Sequence, residues 1–426
     1  MLCKRITIRL KRNVILWSRN GFEKLENIAN TISFKKKEKH LKAFVYLASE
    51  TEITTLQNIK NSYLPLSDAT LAVKDLFDVK GMPTTYGSPI YVDNIATETA
   101  EVVTLAQLAG AKVIGKTVTT EFATYKPGPT TNPQNTDYTP GGSSSGSAAA
   151  VGGGLVSHAL GTQTAGSVIR PAAFCGVVGF LPSMGLVSRK GLKVVSPTLD
   201  RVGVFTSSVK DAETITSVIT GLPRNNWKNT RPCHIGFFSD STWLDADAAT
   251  KKTLFAFKGE VERSEDLVVD LGEGQKLFDL MKAQSDIMQY EVVRSLKKEL
   301  TNHPDLISDE LKAYCSGGLA ISVSQYTAAL EIGNSGRKWA AALFERVDVI
   351  ASPSARTLPL KTLASTGDPF INRAWSLLYL PCITLPTGQI QSGLKSAVQL
   401  IGAFEKDTEL LSIASRFETK ISAIGL

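Results

Sequence analysis

The stretch Thr139 to Arg170, TPGGSSSGSAAAVGGGLVSHALGTQTAGSVIR, packs glycine, serine, threonine and alanine at a density that an ordinary core does not tolerate. Gly141-Gly142 followed by three serines lets a backbone pass close to something small. From Ser147, SAAAV reads as the first turns of a helix, with Ser147 as its cap and alanine as the best helix former. Gly161 to Ser167, GTQTAGS, reads as a second small-residue loop that ends in a hydroxyl. Two serine-bearing loops joined by a short helix suggest a site where a nucleophile and a proton carrier face each other.

Four readings of this stretch compete. A phosphate-binding P-loop needs GxxxxGK[ST], and Gly141 to Ala148 has Ser147 where the lysine belongs. A nucleophile elbow, GxSxG, is matched by Gly142 to Gly146, but Asn135 to Pro140 is not the hydrophobic strand that should precede it. The SxxK pattern at Ser295/Lys298 and Ser335/Lys338 lacks its companion motifs. The remaining reading is a Gly/Ser loop that merely turns the chain. Lys74, at the end of the apolar run LAVKD, weighs against that last reading, because a snorkelling edge lysine is its only bland explanation.

The surroundings read as α/β. Leu71 to Val73 is a short buried strand and Lys112 to Lys116 the next. Between them Val102, Leu105, Ala106, Leu108 and Ala109 share a helical face stopped by Gly110. Glu38 to Ile59 reads as one or two amphipathic helices. Further strands are expected at Gly176 to Phe180, Cys233 to Phe238, Asp348 to Ala351, Cys382 to Leu385 and Ala397 to Gly402. Leu277 to Met288 marks a long helix, and a last helix starts near Asp407. Strand–helix–strand order indicates α/β layering, and without a repeat or a linker one large domain is expected.

Taken together, TPGGSSSGSAAAVGGG, GTQTAGSVIRPAAFCGVVGF, LAVKDLFDVKGMPTTYGS and AVQLIG resemble the blocks of the amidase signature family, in the family's order. The resemblance runs from about residue 40 to the C-terminus and is strongest at 71–208 and 381–402. It implies an α/β amidase signature fold: one large domain, a twisted mixed sheet covered by helices on both faces. It also implies a Ser–Ser–Lys triad, with the base at Lys74, the bridging serine at Ser143 behind a cis Gly142–Ser143 peptide, and the nucleophile at Ser167. An oxyanion hole is expected from the backbone N–H groups of Thr164, Ala165 and Gly166. Substrate contacts are expected from Tyr125, Ser144 and Gln163. No metal or organic cofactor is required.

The chemistry implied rests on pKa. A serine hydroxyl is a poor nucleophile until a base takes its proton. A free lysine, with a pKa near 10.4, is protonated at neutral pH and cannot accept. Burial among small neutral side chains disfavours the ammonium; Asp75 and Asp78 would oppose this and are expected to face away. The chain departs from the family at Gln163-Thr164-Ala165-Gly166-Ser167, where Asp-Thr-Gly-Gly-Ser is usual. Ser167-Val168-Ile169-Arg170 moves the usual arginine one place, so the resemblance gives Arg170 no role. The usual Lys-Pro-Thr is Leu181-Pro182-Ser183, and LPLSDATLAVKD lacks the family's pattern before the base.

Charge enters only to exclude partners. The net charge of +7 arises from residues 1–40, which hold eleven lysines and arginines against three glutamates. The body is nearly neutral, which argues against a nucleic-acid binder. Residues 1–40 are read as a basic extension and 41–426 as the amidase signature domain. The extension fits a loose appendage, a misassigned start or an organelle-targeting peptide. No apolar run is long enough for a membrane span. Five scattered cysteines and four isolated histidines argue against a disulfide framework and a zinc site, and fit a cytoplasmic setting. The expected partners are a small-molecule amide substrate and a second copy of the chain in a homodimer. Two alternatives stand: the glutamine-hydrolysing component of a tRNA-dependent amidotransferase, and a non-catalytic binding protein on the same fold.

Overall fold

Lys74 closes a strand in which every residue after the first is buried, and that strand lies third from one edge of the sheet. The computed structural model describes residues 33–49, 63–224, 231–243, 245–390 and 393–425. Residues 33–41 are helical. From Leu41 onward the described chain is built on one sheet of eleven strands: β1 Phe44–Leu47, β2 Thr70–Lys74, β3 Lys112–Thr117, β4 His158–Gln163, β5 Val178–Leu181, β6 Arg201–Thr206, β7 His234–Phe237, β8 Leu267–Asp270, β9 Val349–Pro353, β10 Cys382–Gln389 and β11 Lys395–Gly402.

Their spatial order is β1-β3-β2-β4-β6-β5-β10-β11-β9-β7-β8. β2 runs parallel to both β3 and β4, and β7 parallel to β8 and β9; the other pairs are antiparallel. The sheet is therefore mixed, as an amidase signature fold requires. Helices Ser145–Gly152 and Ile169–Cys175 pack on the central strands; helices Val209–Thr220 and Asp407–Ser422 pack against β5, β6, β10 and β11. Helix Gln275–Ser295 holds together helices Asp309–Ala320, Val323–Leu343 and Phe370–Leu377. Phe180, Phe205, Trp375 and Phe417 are fully buried. Among the described residues, no helix is long and apolar enough to cross a membrane, and no cluster of His, Cys, Asp or Glu could hold a metal ion.

Three local expectations are corrected. Phe44 to Leu47 is a strand rather than helix: its side chains alternate between half-buried and exposed, which suits β-branched and aromatic residues on a sheet edge. The rest of that expected helical region, residues 50–62, lies outside the described residues. The second small-residue segment is strand as far as Gln163, and only then loop. HALGTQ is buried on both faces, so it carries no alternation by which to recognise a strand. Ser147 lies inside helix Ser145–Gly152 rather than capping it, and its hydroxyl donates to Leu160 O of β4 at 2.8 Å.

Candidate active site

Because β2 and β4 are parallel neighbours, with Val73 opposite Leu160, their C-terminal ends open at the same edge of the sheet. Lys74 ends β2, and the loop that follows β4 begins at Thr164. The start of helix Ser145–Gly152 reaches the same edge and brings Ser143 and Ser144 with it. This geometry gathers residues that lie 69 to 88 positions apart in the chain around one amine.

Lys74 Nζ lies 2.8 Å from Ser143 Oγ, 2.9 Å from Ser144 Oγ and 2.8 Å from Thr162 Oγ1, and the side chain is wholly buried. Burial holds its pKa well below the ordinary lysine value; the carboxylate of Asp200 acts the other way. Asp75 does not face this amine. Its carboxylate accepts from Lys116 Nζ at 2.8 Å and from Thr85, so the neighbouring strand's buried lysine is ion-paired while Lys74 meets hydroxyls only. Asp78 is half-buried, and burial pushes its pKa up.

Glycine is what admits this cluster. A Cβ on Gly161 would stand 2.9 Å from Ser144 Oγ and 2.5 Å from the Phe205 ring. One on Gly142 would stand 2.7 Å from the Thr366 methyl. The Gly142–Ser143 peptide is cis.

Ser167 sits half-buried in the loop between β4 and helix Ile169–Cys175. The hydrogen bonds of the described residues do not include one between the Ser143 and Ser167 hydroxyls. Nor do they include one donated by the backbone N–H groups of Thr164, Ala165, Gly166 or Ser167. The first three of these residues are buried, and buried N–H groups are almost always paired. The backbone N–H groups of Thr164 to Ser167 are thus donors without an acceptor among the described residues.

Gln163 is committed to holding that loop. Its Oε1 accepts from Val168 N at 2.9 Å and Ile169 N at 3.1 Å, and its Nε2 donates to Ser376 Oγ at 3.0 Å. Ser376 in turn donates to Ala165 O at 2.7 Å. Ser144, also expected at the substrate, is buried with its hydroxyl between Lys74 and the backbone of Thr162. Tyr125 is the expected substrate contact that remains open to solvent, at 37% exposure.

Several site residues, or in the case of Arg170 its role, escaped the sequence reading. Thr162 completes the hydroxyl ring, hidden two residues before the loop. Asp200 accepts from Thr164 Oγ1 at 2.5 Å and from Val195 and Ser196 N–H groups, and burial raises its pKa against these bonds. Arg170, one place removed from the usual position, donates to Gly142 O at 2.7 Å and Thr366 O at 2.9 Å. Burial lowers its pKa to about 10. Gln284 donates to Thr164 O at 2.9 Å from the long helix. No local motif marks Asp200 or Gln284, because only the tertiary fold brings them to the loop.

Comparison with known proteins bears on the fold and the family. A family model described as Amidase matches residues 29–411. The chain is 31% identical over 421 residues to the glutamyl-tRNA(Gln) amidotransferase A subunit of Methanospirillum hungatei, covering 86% of this chain and 96% of that protein. Its fold matches a crystal structure of an amidase with a TM-score of 0.82 at 27% identity, covering 93% of this chain and 95% of the other. It matches the glutamyl-tRNA(Gln) amidotransferase A subunit of Thermotoga maritima with a TM-score of 0.78 at 25% identity, over 92% and 90% of the two chains.

Proposed function

The chain belongs to the amidase family, and on that premise we propose that it hydrolyses the C–N bond of a small-molecule carboxamide through an acyl-enzyme on Ser167. The observation that carries this reading is Lys74, a buried amine ringed by three neutral hydroxyls. A neutral amine has two N–H donors and one lone pair. Ser144 already donates to Thr162 O, so it accepts from the amine. If Thr162 Oγ1 accepts the second N–H, the lone pair is left for the Ser143 hydroxyl. That inventory suits a base, and no carboxylate touches the amine to pair with an ammonium.

In the proposed sequence Ser143 gives its proton to Lys74 and takes one from Ser167, whose Oγ attacks the amide carbon. The oxyanion forms beside the free N–H groups of Thr164, Ala165 and Gly166; losing one such donor costs about 3–4 kcal/mol in other hydrolases. The C–N bond breaks as the proton returns through Ser143 to the leaving nitrogen. Water then cleaves the ester, its proton following the same path. Catalytic hydrogen bonds often close only with substrate bound, and the Ser143–Ser167 bond is expected to form at that step. The test is ammonia or amine release from an amide panel. Wild type should turn over, and Ser167→Ala should not; a Ser167→Ala variant with wild-type activity would refute the assignment.

A second reading is glutamine hydrolysis within a tRNA-dependent amidotransferase, supported by the relatives that carry that name. The Gln163-Thr164-Ala165-Gly166-Ser167-Val168 loop in place of the Asp-Thr-Gly-Gly-Ser-Ile form weighs against it. Glutaminase activity that depends on a co-purifying partner protein would favour this second reading.

A further inference from the structure

Arg373 is a buried cation with no carboxylate of its own. It is 8% exposed, and among the described residues no acidic side chain pairs with it. Its guanidinium has five N–H donors, yet it makes two hydrogen bonds, to Gln284 Oε1 at 2.8 Å and Tyr125 Oη at 3.2 Å, both neutral. A desolvated charge of this kind is costly unless something pairs with it. Tyr314 supplies the second, independent observation. Its ring lies 4.9 Å from that of Tyr125, it is 8% exposed, and its hydroxyl has no hydrogen-bond partner.

These groups border the reactive loop. Gln284, which accepts from Arg373, donates through its other end to Thr164 O. Asn372, next in sequence, has an unpartnered Oδ1 only 2.6 Å from where a Cβ on Gly166 would stand.

Resting on the amidase reading above, we infer that Arg373, Tyr125 and Tyr314 form an anion subsite and that the amide substrate carries a carboxylate. A carboxylate fits where one planar guanidinium fork supplies two N–H donors and neighbouring phenols supply O–H donors. It offers one negative charge to one positive charge, and it satisfies the hydroxyl of Tyr314. The residues nearest the nucleophile then bind the amide end while this cluster reads the acid end. Burial pushes the Tyr314 hydroxyl well above its usual pKa, so it remains a donor, and Arg373 acts on it in the opposite direction.

The experiment compares succinamate and glutaramate with the uncharged succinamide and glutaramide, in wild type, Arg373→Gln and Tyr314→Phe. Thermal shift with succinate and glutarate is the second readout. Wild type should prefer the charged member of each pair by about 100-fold in kcat/KM, a discrimination that polar sites reach readily. Arg373→Gln should erase the preference, and Tyr314→Phe should cut it about 10-fold. The dicarboxylates should raise the Tm of wild type and not of Arg373→Gln. Equal turnover of charged and neutral amides with no thermal shift would overturn the subsite and leave the amidase reading standing. Dicarboxylate-dependent stabilisation without turnover of any amide would do the reverse. If Arg373→Gln does not fold, an unchanged charged-to-neutral ratio and shift in Tyr314→Phe would overturn the proposal.

Discussion

Lys74 Nζ and Ser143 Oγ stand 2.8 Å apart, with Asp200 the one carboxylate that acts on the amine's titration. The neighbouring strand offers the contrast. Lys116 is also fully buried, and burial lowers its pKa too, yet its amine is tied to the Asp75 carboxylate at 2.8 Å, which acts against that shift. A buried ion pair is a poor source of a free base.

Lys74→Ala should lower kcat/KM by about 10²–10⁴-fold, the range for a lost general base. In wild type, kcat/KM should rise with pH through an apparent pKa below the ordinary lysine value, since the neutral amine is the active form. A pH series on wild type and Lys74→Ala measures both, and the rising limb should vanish in the variant.

Asp200→Asn should move that limb to still lower pH. Asp200 raises the pKa of Lys74, so removing its charge makes the amine easier to deprotonate. The position of the limb is the readout, because an amide cannot accept on both sides as the carboxylate does, and that change in the loop will also lower the rate.

Stability should carry the same signature. A lysine whose folded pKa is depressed binds fewer protons folded than unfolded between that pKa and about 10.4, so wild-type stability gains with pH across that window. Lys74→Met has no such term. Its stability relative to wild type should be greatest at and below the depressed pKa and should fall as pH approaches about 10.4. Urea unfolding of both proteins at about pH 6, 8 and 10 tests this.

Gln163→Leu should act through the loop rather than through substrate affinity. It strands the buried N–H groups of Val168 and Ile169, at a cost of about 1–3 kcal/mol each. The expected pattern is a lower kcat, a lower Tm and little change in KM. A rise in KM alone would instead place Gln163 against the substrate.

Gly161→Ala should destabilise by about 1–3 kcal/mol, as overpacking does. The added methyl would press on Ser144 Oγ and the Phe205 ring and so reach the hydroxyl ring around Lys74. Equilibrium unfolding, with the kcat/KM of the folded fraction, measures both effects.

How much of this was legible in the sequence depended on where the signal lay. LAVK, KVIGK and AVQLIG are short apolar runs ended by a charge or a glycine, and each is a strand in the structure. The serine loops stood out by composition alone. HALGTQ and RVGVFT did not stand out as strands, because burial on both faces removes alternation. FVYL was lost to a helical reading of its surroundings. Asp200, Gln284 and Arg373 are common polar residues in unremarkable settings. Their meaning comes from burial and from partners at 36, 120 and 248 positions' remove, which no local pattern encodes.

The central claim is that a neutral Lys74 activates Ser167 through Ser143, and the most direct measurement is the rate and site of labelling by a fluorophosphonate, mapped by peptide mass spectrometry. One adduct is expected, on Ser167. Its rate of formation in wild type should rise with pH along the same limb as kcat/KM, and should drop by about 10²-fold or more in both Lys74→Ala and Ser143→Ala. An adduct on another serine, or labelling of Ser167 at the wild-type rate without Lys74, would contradict the claim.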